Sequence, residues 1–156
     1  MIRSLTAMLL GIGFFPGKAS GQISLVVPTA SVAPEQTIAA KVQNTSASAI
    51  SYCVEFGQHS PMGVTIEATP IPFYIEHRQD GKWSVLLIGP DIGSTRRPVV
   101  LRPGESHDFP FRLLDRGRMR LVLRYWIGER EDVCSEPKKG RKTVRSAMFT
   151  IAQEKR

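Results

Sequence analysis

The stretch Met119-Arg-Leu-Val-Leu-Arg-Tyr-Trp-Ile127 decides the fold class. Apolar side chains recur at every second position from Met119 to Ile127, with Arg120 and Arg124 between them. Successive side chains of a β-strand point to opposite faces of the sheet, so this period of two predicts a half-buried strand.

Shorter segments with β-forming residues lie on both sides of this strand, separated by Gly, Pro and Asn. They cover 23–27, 37–42, 50–56, 73–77, 83–87, 99–101, 109–113 and 144–151. Asp80-Gly81 is the strongest turn signal and predicts a hairpin between 73–77 and 83–87. The polar turn 44–48 predicts another hairpin, between 37–42 and 50–56. The Pro-rich stretch 57–72 is interpreted as an insertion with one edge strand near 64–66. No run of ten residues has a helical period, so the sequence predicts an all-β, antiparallel β-sandwich of seven to nine strands.

Composition places the chain among ordinary globular proteins. The 156 residues are 42% hydrophobic and 22% charged, which excludes a disordered tail, a collagen-like fibre and a multi-span membrane protein. Two Cys are too few for a fold built on disulfides, so one domain must rest on a hydrophobic core.

The first 21 residues have the three-part form of a secretory signal. Arg3 precedes an apolar run that ends at Phe15, and the small residues Ala19 and Gly21 follow. The run is too short to span a hydrocarbon core, which needs about 20 residues. The alternative is a buried N-terminal strand or helix. We expect residues 1–21 to be a signal peptide, 22–151 the mature domain and 152–156 a polar tail, in a secreted or periplasmic protein.

The two cysteines are Cys53, inside a predicted strand, and Cys134, beyond the long strand. In an oxidising compartment they can pair with no thiol left over, and a disulfide is the prediction. Two separate buried thiols are the alternative.

The order of several segments carries a resemblance to a known family. The segments are Tyr74-Ile75-Glu76, Asp80-Gly81-Lys82-Trp83, Val100-Leu101-Arg102-Pro103-Gly104-Glu105-Ser106, Gly117-Arg118-Met119-Arg120-Leu121-Val122 and Ser146-Ala147-Met148-Phe149-Thr150-Ile151. Over most of residues 35–151 this order resembles the bacterial immunoglobulin-like domains of exported proteins. The resemblance implies an immunoglobulin-like sandwich that acts as a binding, spacer or accessory module without catalysis.

Positive charge is concentrated in the last third of the chain. Residues 116–156 hold 12 Lys or Arg against 5 Asp or Glu, whereas residues 22–115 hold 7 against 9. The densest cluster is a predicted hairpin tip at 138–142, and the possible polyanion contacts are Lys138, Lys139, Arg141, Lys142 and Arg145, with Arg116, Arg118, Arg120 and Arg124 nearby. Such a cluster attracts an anionic surface, whether polysaccharide, lipid headgroup, nucleic acid or acidic protein. The alternative is a solvated edge that prevents strand-to-strand aggregation. No aromatic residue is interleaved with the cluster, so no specific nucleic acid is expected.

Motifs for catalysis or cofactor binding are not found. The three histidines are His59, His77 and His107, and only His107 has an acidic neighbour, in what is interpreted as a solvated turn; no metal site and no cofactor are predicted. The sequence favours a non-catalytic binding or accessory module whose partner is a protein or an anionic cell-envelope polymer. The alternative is an inhibitor of an extracytoplasmic hydrolase or protease that presents loop 57–72 or 89–97 to the enzyme.

Overall fold

The computed structural model describes residues 21–33, 36–56, 71–86, 95–113 and 115–152. These residues form eleven β-strands and one short 3-10 helix, η1 (Asp132–Ser135). The strands are β1 (Ile23–Val26), β2 (Ser31–Val32), β3 (Ile38–Asn44), β4 (Ile50–Phe56), β5 (Phe73–Gln79), β6 (Lys82–Leu86), β7 (Thr95–Leu101), β8 (Ser106–Phe111), β9 (Gly117–Ile127), β10 (Lys142–Arg145) and β11 (Phe149–Ile151). None of the described segments is a helix long and apolar enough to cross a membrane.

The predicted all-β, antiparallel β-sandwich is confirmed, although the described strands outnumber the seven to nine expected. Strand β2 has two residues, too few to leave a pattern in the sequence. The predicted strand 144–151 is divided into β10 and β11 at Ser146. The Ser146 hydroxyl accepts a hydrogen bond from the Leu121 amide at 2.9 Å, and the Ser146 amide donates to the Leu121 carbonyl at 3.0 Å. This reciprocal pair ends β10.

Strand β9 organises the larger of the two sheets. Along one edge it pairs with β5 and then with β4, and along the other with β11 and then with β10. Strand β6 pairs with β5, β7 pairs with β4, and β2 adds the one parallel pair of the described strands, with β11. The edge strand β7 contains Pro98, which an edge position tolerates because one of its sides needs no ladder hydrogen bond.

The smaller sheet has the order β1-β3-β8 and packs face to face with the larger one. Aromatic rings meet across the interface: the Phe73 and Phe111 centroids are 5.1 Å apart and those of Tyr52 and Phe109 are 6.3 Å apart, both edge to face. Burial of each large apolar side chain contributes about 1.5–3 kcal/mol. This interface is the core that holds the sandwich together.

The alternation that predicted β9 is right for the core face as far as Leu123, but Val122 on the opposite face is also fully buried, and the pattern is wrong at the end of the strand. Met119, Leu121 and Leu123 are fully buried in the core as expected, but Ile127 is 46% exposed. Trp126, on the opposite face, is 1% exposed, because the chain that follows η1 covers it. The hairpin across Asp80-Gly81 is confirmed, and both turn residues have the positive φ that its tight turn needs.

The hairpin predicted between 37–42 and 50–56 is wrong. Strand β3 lies in the smaller sheet and β4 in the larger, so the turn after Asn44 crosses between the sheets. The fully buried Asn44 side chain holds this crossing, donating to the carbonyl oxygens of Ser48 and Leu101, each at 2.9 Å, and accepting from the Ser46 amide at 3.0 Å. Several sequence-based predictions lie outside the described residues: the signal peptide up to residue 20, the edge strand near 64–66 and the tail after residue 152.

We expect the Asn44→Ala substitution to lower the free energy of unfolding by about 1–3 kcal/mol, because it leaves buried carbonyl groups without donors. Urea denaturation measures the change. Gln43→Ala is the matched control, since Gln43 is an exposed neighbour in the same strand and its loss should change stability by less than about 0.5 kcal/mol. Equal effects of the two substitutions would show that the Asn44 amide does not hold the crossing.

Candidate functional site

The predicted disulfide is present and attaches the only 3-10 helix of the described chain to the larger sheet. Cys53 lies in β4 and Cys134 in η1, with their Cα atoms 4.9 Å apart. Val133, next to the bond, is fully buried. The disulfide therefore fixes the segment from which the basic part of the chain departs.

Two further contacts fix the residues after η1. Glu136 adopts the left-handed conformation with φ 52°, and its carboxylate forms an ion pair with Arg124 of β9. The Trp126 indole donates to the Pro137 carbonyl at 3.1 Å. A left-handed non-glycine residue costs about 1–3 kcal/mol and persists where its surroundings determine it. The chain thus leaves the sheet surface at a defined place, immediately before residue 138.

The basic turn, residues 138–142, lies beside Trp126. Lys138, Lys139, Arg141 and Lys142 are exposed, and within the described part of the chain no carboxylate pairs with any of them. The prediction of a hairpin tip over 138–142 needs one correction: Lys142 is the first residue of β10, hydrogen-bonded in register with Tyr125 of β9. The sequence therefore located a group of cations whose charge is open to solvent.

Arg145 was predicted to belong to this group, but it lies at the other end of β10 and is paired. Its Nε is 3.3 Å from Glu76 Oε2, and the Arg120 guanidinium is 2.5 Å from the same oxygen. Burial raises the pKa of Glu76, but its hydrogen bonds to the two arginines, and then their charges, outweigh this and hold that pKa below its ordinary value. Because Arg124 is paired with Glu136, the free positive charge is smaller than the sequence indicated.

Aromatic residues adjoin Arg120 and Arg124, and the sequence pattern did not indicate these contacts. The Arg120 guanidinium carbon is 4.0 Å from the centre of the Trp83 ring, and that of Arg124 is 4.7 Å from the centre of the Tyr74 ring. Both rings come from the β5–β6 hairpin, far away in the sequence. Register explains the meeting, because Tyr74 pairs with Val122 and so lies on the same face of the sheet as the arginines.

We name this surface the Arg–aromatic face. It lies on the side of the larger sheet that points away from the core and is formed by Tyr74, Glu76, Arg78, Trp83, Arg118, Arg120, Arg124 and Arg145. Prediction of the Arg–aromatic face from the sequence would have required the strand order and the register, and the sequence of a single strand indicates neither.

The two histidines that the structure describes, His77 and His107, both lie in β-strands. The prediction that His107 lies in a solvated turn is wrong. His107 belongs to β8, and its Nδ1 is 2.7 Å from the Tyr52 hydroxyl. Burial, and then the charge of Glu105, raise the pKa of Tyr52 above its ordinary value. His77 lies in β5, whereas His59 is outside the described residues. Across those residues no group of three or more His, Cys, Asp or Glu side chains could hold a metal ion.

The loops of the inhibitor alternative lie mostly outside the described residues. Of 57–72, the structure describes residues 71 and 72, and of 89–97 it describes 95–97, which belong to the edge strand β7. The alternative function, inhibition of an extracytoplasmic hydrolase or protease, stays a prediction.

No family model matches this chain, and no curated protein matches it. Among solved structures it is similar to the ASH / PapD-like domain of human CEP192 (PapD-like domain 7), with 10% sequence identity and a TM-score of 0.33 over 99% of this chain and 100% of that one. It is also similar to AvmM, which catalyzes macrocyclization in alchivemycin A biosynthesis, with 11% identity and a TM-score of 0.36 over 88% of this chain and 91% of that one. Neither likeness extends to function.

We expect Glu76→Gln to lower the free energy of unfolding at pH 7 by about 1–3 kcal/mol, because charged hydrogen bonds to two arginines are weakened. The folded-state pKa of Glu76 is lowered, so its stabilising effect is complete above the unfolded-state value, near pH 4, and is lost as the pH falls through the folded-state value. Urea denaturation at pH 7 and at pH 2–3 should therefore show a difference between wild type and variant that shrinks in acid.

Glu129→Gln is the control for this prediction. The Glu129 carboxylate is 62% exposed and 3.9 Å from Arg102, so its replacement should have little effect at either pH. A Glu76→Gln penalty that is the same at both pH values would contradict the assignment of the effect to the ionised carboxylate.

Proposed function

We propose that this protein is an exported, non-catalytic immunoglobulin-like module that binds an anionic cell-envelope polymer through the basic turn. One observation carries the proposal: four exposed cations lie within five residues, and no described carboxylate neutralises them. Charge of one sign at one place raises the local concentration of anionic ligands and speeds their association.

The attachment of the basic turn supports a binding role. The Cys53–Cys134 disulfide and the contact of Trp126 with Pro137 hold the chain before the turn, and β10 holds the chain after it. A surface that is ordered before it meets its ligand loses less conformational entropy on binding. Lysines that merely keep an edge strand soluble would need no such attachment.

A non-catalytic role is supported by the engagement of two reactive side chains, those of His107 and Glu76, within the fold. His107 is engaged by the Tyr52 hydroxyl, and the Glu76 carboxylate is engaged by two arginines. The resemblance to bacterial immunoglobulin-like domains of exported proteins supports the same kind of module. A protein partner remains the other class of ligand for this surface.

Replacement of Lys138, Lys139, Arg141 and Lys142 by Ser should abolish retention on a heparin column. The unfolding temperature should change by no more than a few degrees, because exposed charges contribute little to folding. Wild-type retention should weaken steeply between low salt and ~0.15 M, because at the higher salt concentration screening limits the range of each charge's electrostatic interaction to about 8 Å.

The control for this experiment removes four cations elsewhere. Lys41, Arg96, Arg97 and Arg102 are exposed on or next to β3 and β7, and their replacement by Ser changes the net charge equally. If both variants lose retention alike, net charge and not the basic turn accounts for binding.

Export predicts a mature chain that begins near residue 22 with Cys53 and Cys134 paired. Expression of the full chain in a bacterial host, followed by mass spectrometry of the extracytoplasmic fraction without reductant, should give the cleaved mass less two hydrogens. An uncleaved chain in the cytoplasmic fraction, or two thiols that alkylate freely, would refute the export proposal.

A further inference from the structure

Two groups of cations that have no carboxylate partner among the described residues lie at opposite ends of the same sheet surface. The basic turn is at one end, beside Trp126, and Arg78 and Arg118 are at the other. Arg78 and Arg118 are exposed and stand directly opposite each other on β5 and β9, and neither has a carboxylate partner among the described residues. Like charges in this arrangement repel each other and destabilise the strand pair. An anion bound between them would relieve the repulsion.

The distance between the two groups follows from the strand that joins them. Trp126 is eight positions after Arg118 along β9, which at about 3.3 Å per position is roughly 26 Å. The surface between the two ends is the Arg–aromatic face, where Arg120, Arg124 and Arg145 keep guanidinium groups partly open to solvent. A single small anion cannot reach both ends, whereas a chain with repeated negative charges can.

The chemistry of the face favours a sugar polymer over a nucleic acid. Bases of a single strand bind by stacking on open aromatic faces. Here a guanidinium lies over the Trp83 ring at 4.0 Å and another lies over the Tyr74 ring at 4.7 Å, and both rings are half-buried. Arg120, Arg124 and Arg145 already pair with Glu76 or Glu136, so the guanidinium groups left for a ligand are those of Arg78 and Arg118. Such groups recognise carboxylate and sulfate oxygens with paired hydrogen bonds.

We propose that an acidic polysaccharide follows β9 from the basic turn to the Arg78–Arg118 pair, so that the binding site is a track across the Arg–aromatic face. This inference rests on the proposed function, since the basic turn is one end of the track. It adds the class of polymer, its minimum length and a second binding position.

The test measures affinity against ligand length. Heparin oligosaccharides from disaccharide to dodecasaccharide are titrated into the full mature chain by calorimetry at low salt. For the wild type, affinity should rise with length until the oligosaccharide spans both ends. The Arg78→Ser/Arg118→Ser variant should bind the shortest oligosaccharides within twofold of wild type, but bind the longest about tenfold more weakly, with a salt dependence reduced by about two released ions.

Arg96→Ser/Arg97→Ser is the matched control, because these exposed arginines are adjacent on the edge strand β7 and not on the track. The control should keep the wild-type length dependence. Loss of affinity at every length in the basic-turn variant, together with no effect of Arg78→Ser/Arg118→Ser, would overturn the track and leave the proposed function standing. Unchanged affinity of the basic-turn variant would overturn the proposed function itself.

The class of polymer is tested with single-stranded DNA of matched charge. Heparin should bind at least as tightly, and Trp83→Ala should not weaken DNA selectively. Tighter binding of DNA, with a tenfold loss in Trp83→Ala while heparin affinity stays within twofold, would show that bases stack on the ring and would overturn the assignment to a polysaccharide.

Discussion

Strand β9 is the constraint on which the rest of the structure depends. It is hydrogen-bonded along both edges, to β5 and β4 on one side and to β11 and β10 on the other. A strand in this position must have its core face filled with apolar side chains, and Met119, Leu121 and Leu123 do this. Its arginines Arg118, Arg120 and Arg124 therefore lie on the outer face, alternating with the core residues, whereas Val122 and Trp126 on that face are buried. A cationic outer surface is a consequence of how this strand is buried.

Glu76 is the partner that makes this arrangement specific. In the observed register Glu76 stands opposite Arg120. The residue is 7% exposed, and its carboxylate also accepts a hydrogen bond from Arg145. A slip of one residue between β5 and β9 would turn every side chain of β5 to the other face and bring this carboxylate into the core. Desolvation of a carboxylate is costly unless it is well paired, so the two arginines stabilise one register against its neighbours.

The sequence predicted what depends on local pattern and missed what depends on partner choice. The β5–β6 hairpin was right because Asp80-Gly81 sets both its turn and its register, and the disulfide was right because two cysteines leave one pairing. The prediction of a hairpin at the turn after Asn44 was wrong, because the residues of the turn do not indicate that the next strand joins the other sheet. Arg145 was assigned to the basic cluster for the same reason: its partner, Glu76, is 69 residues away.

The basic turn shows how the fold maintains a charge density that a free chain would reduce. Four cations in five residues repel one another, by about 1 kcal/mol for a pair 4 Å apart in water and less with salt, and a flexible segment would relieve this by spreading. Here the Cys53–Cys134 bond, the Glu136–Arg124 ion pair and the hydrogen bond from Trp126 fix the chain on one side, and pairing of β10 with β9 fixes it on the other. The four cations are therefore presented from a fixed backbone, and the proposed anionic ligand would bind without first having to order the turn.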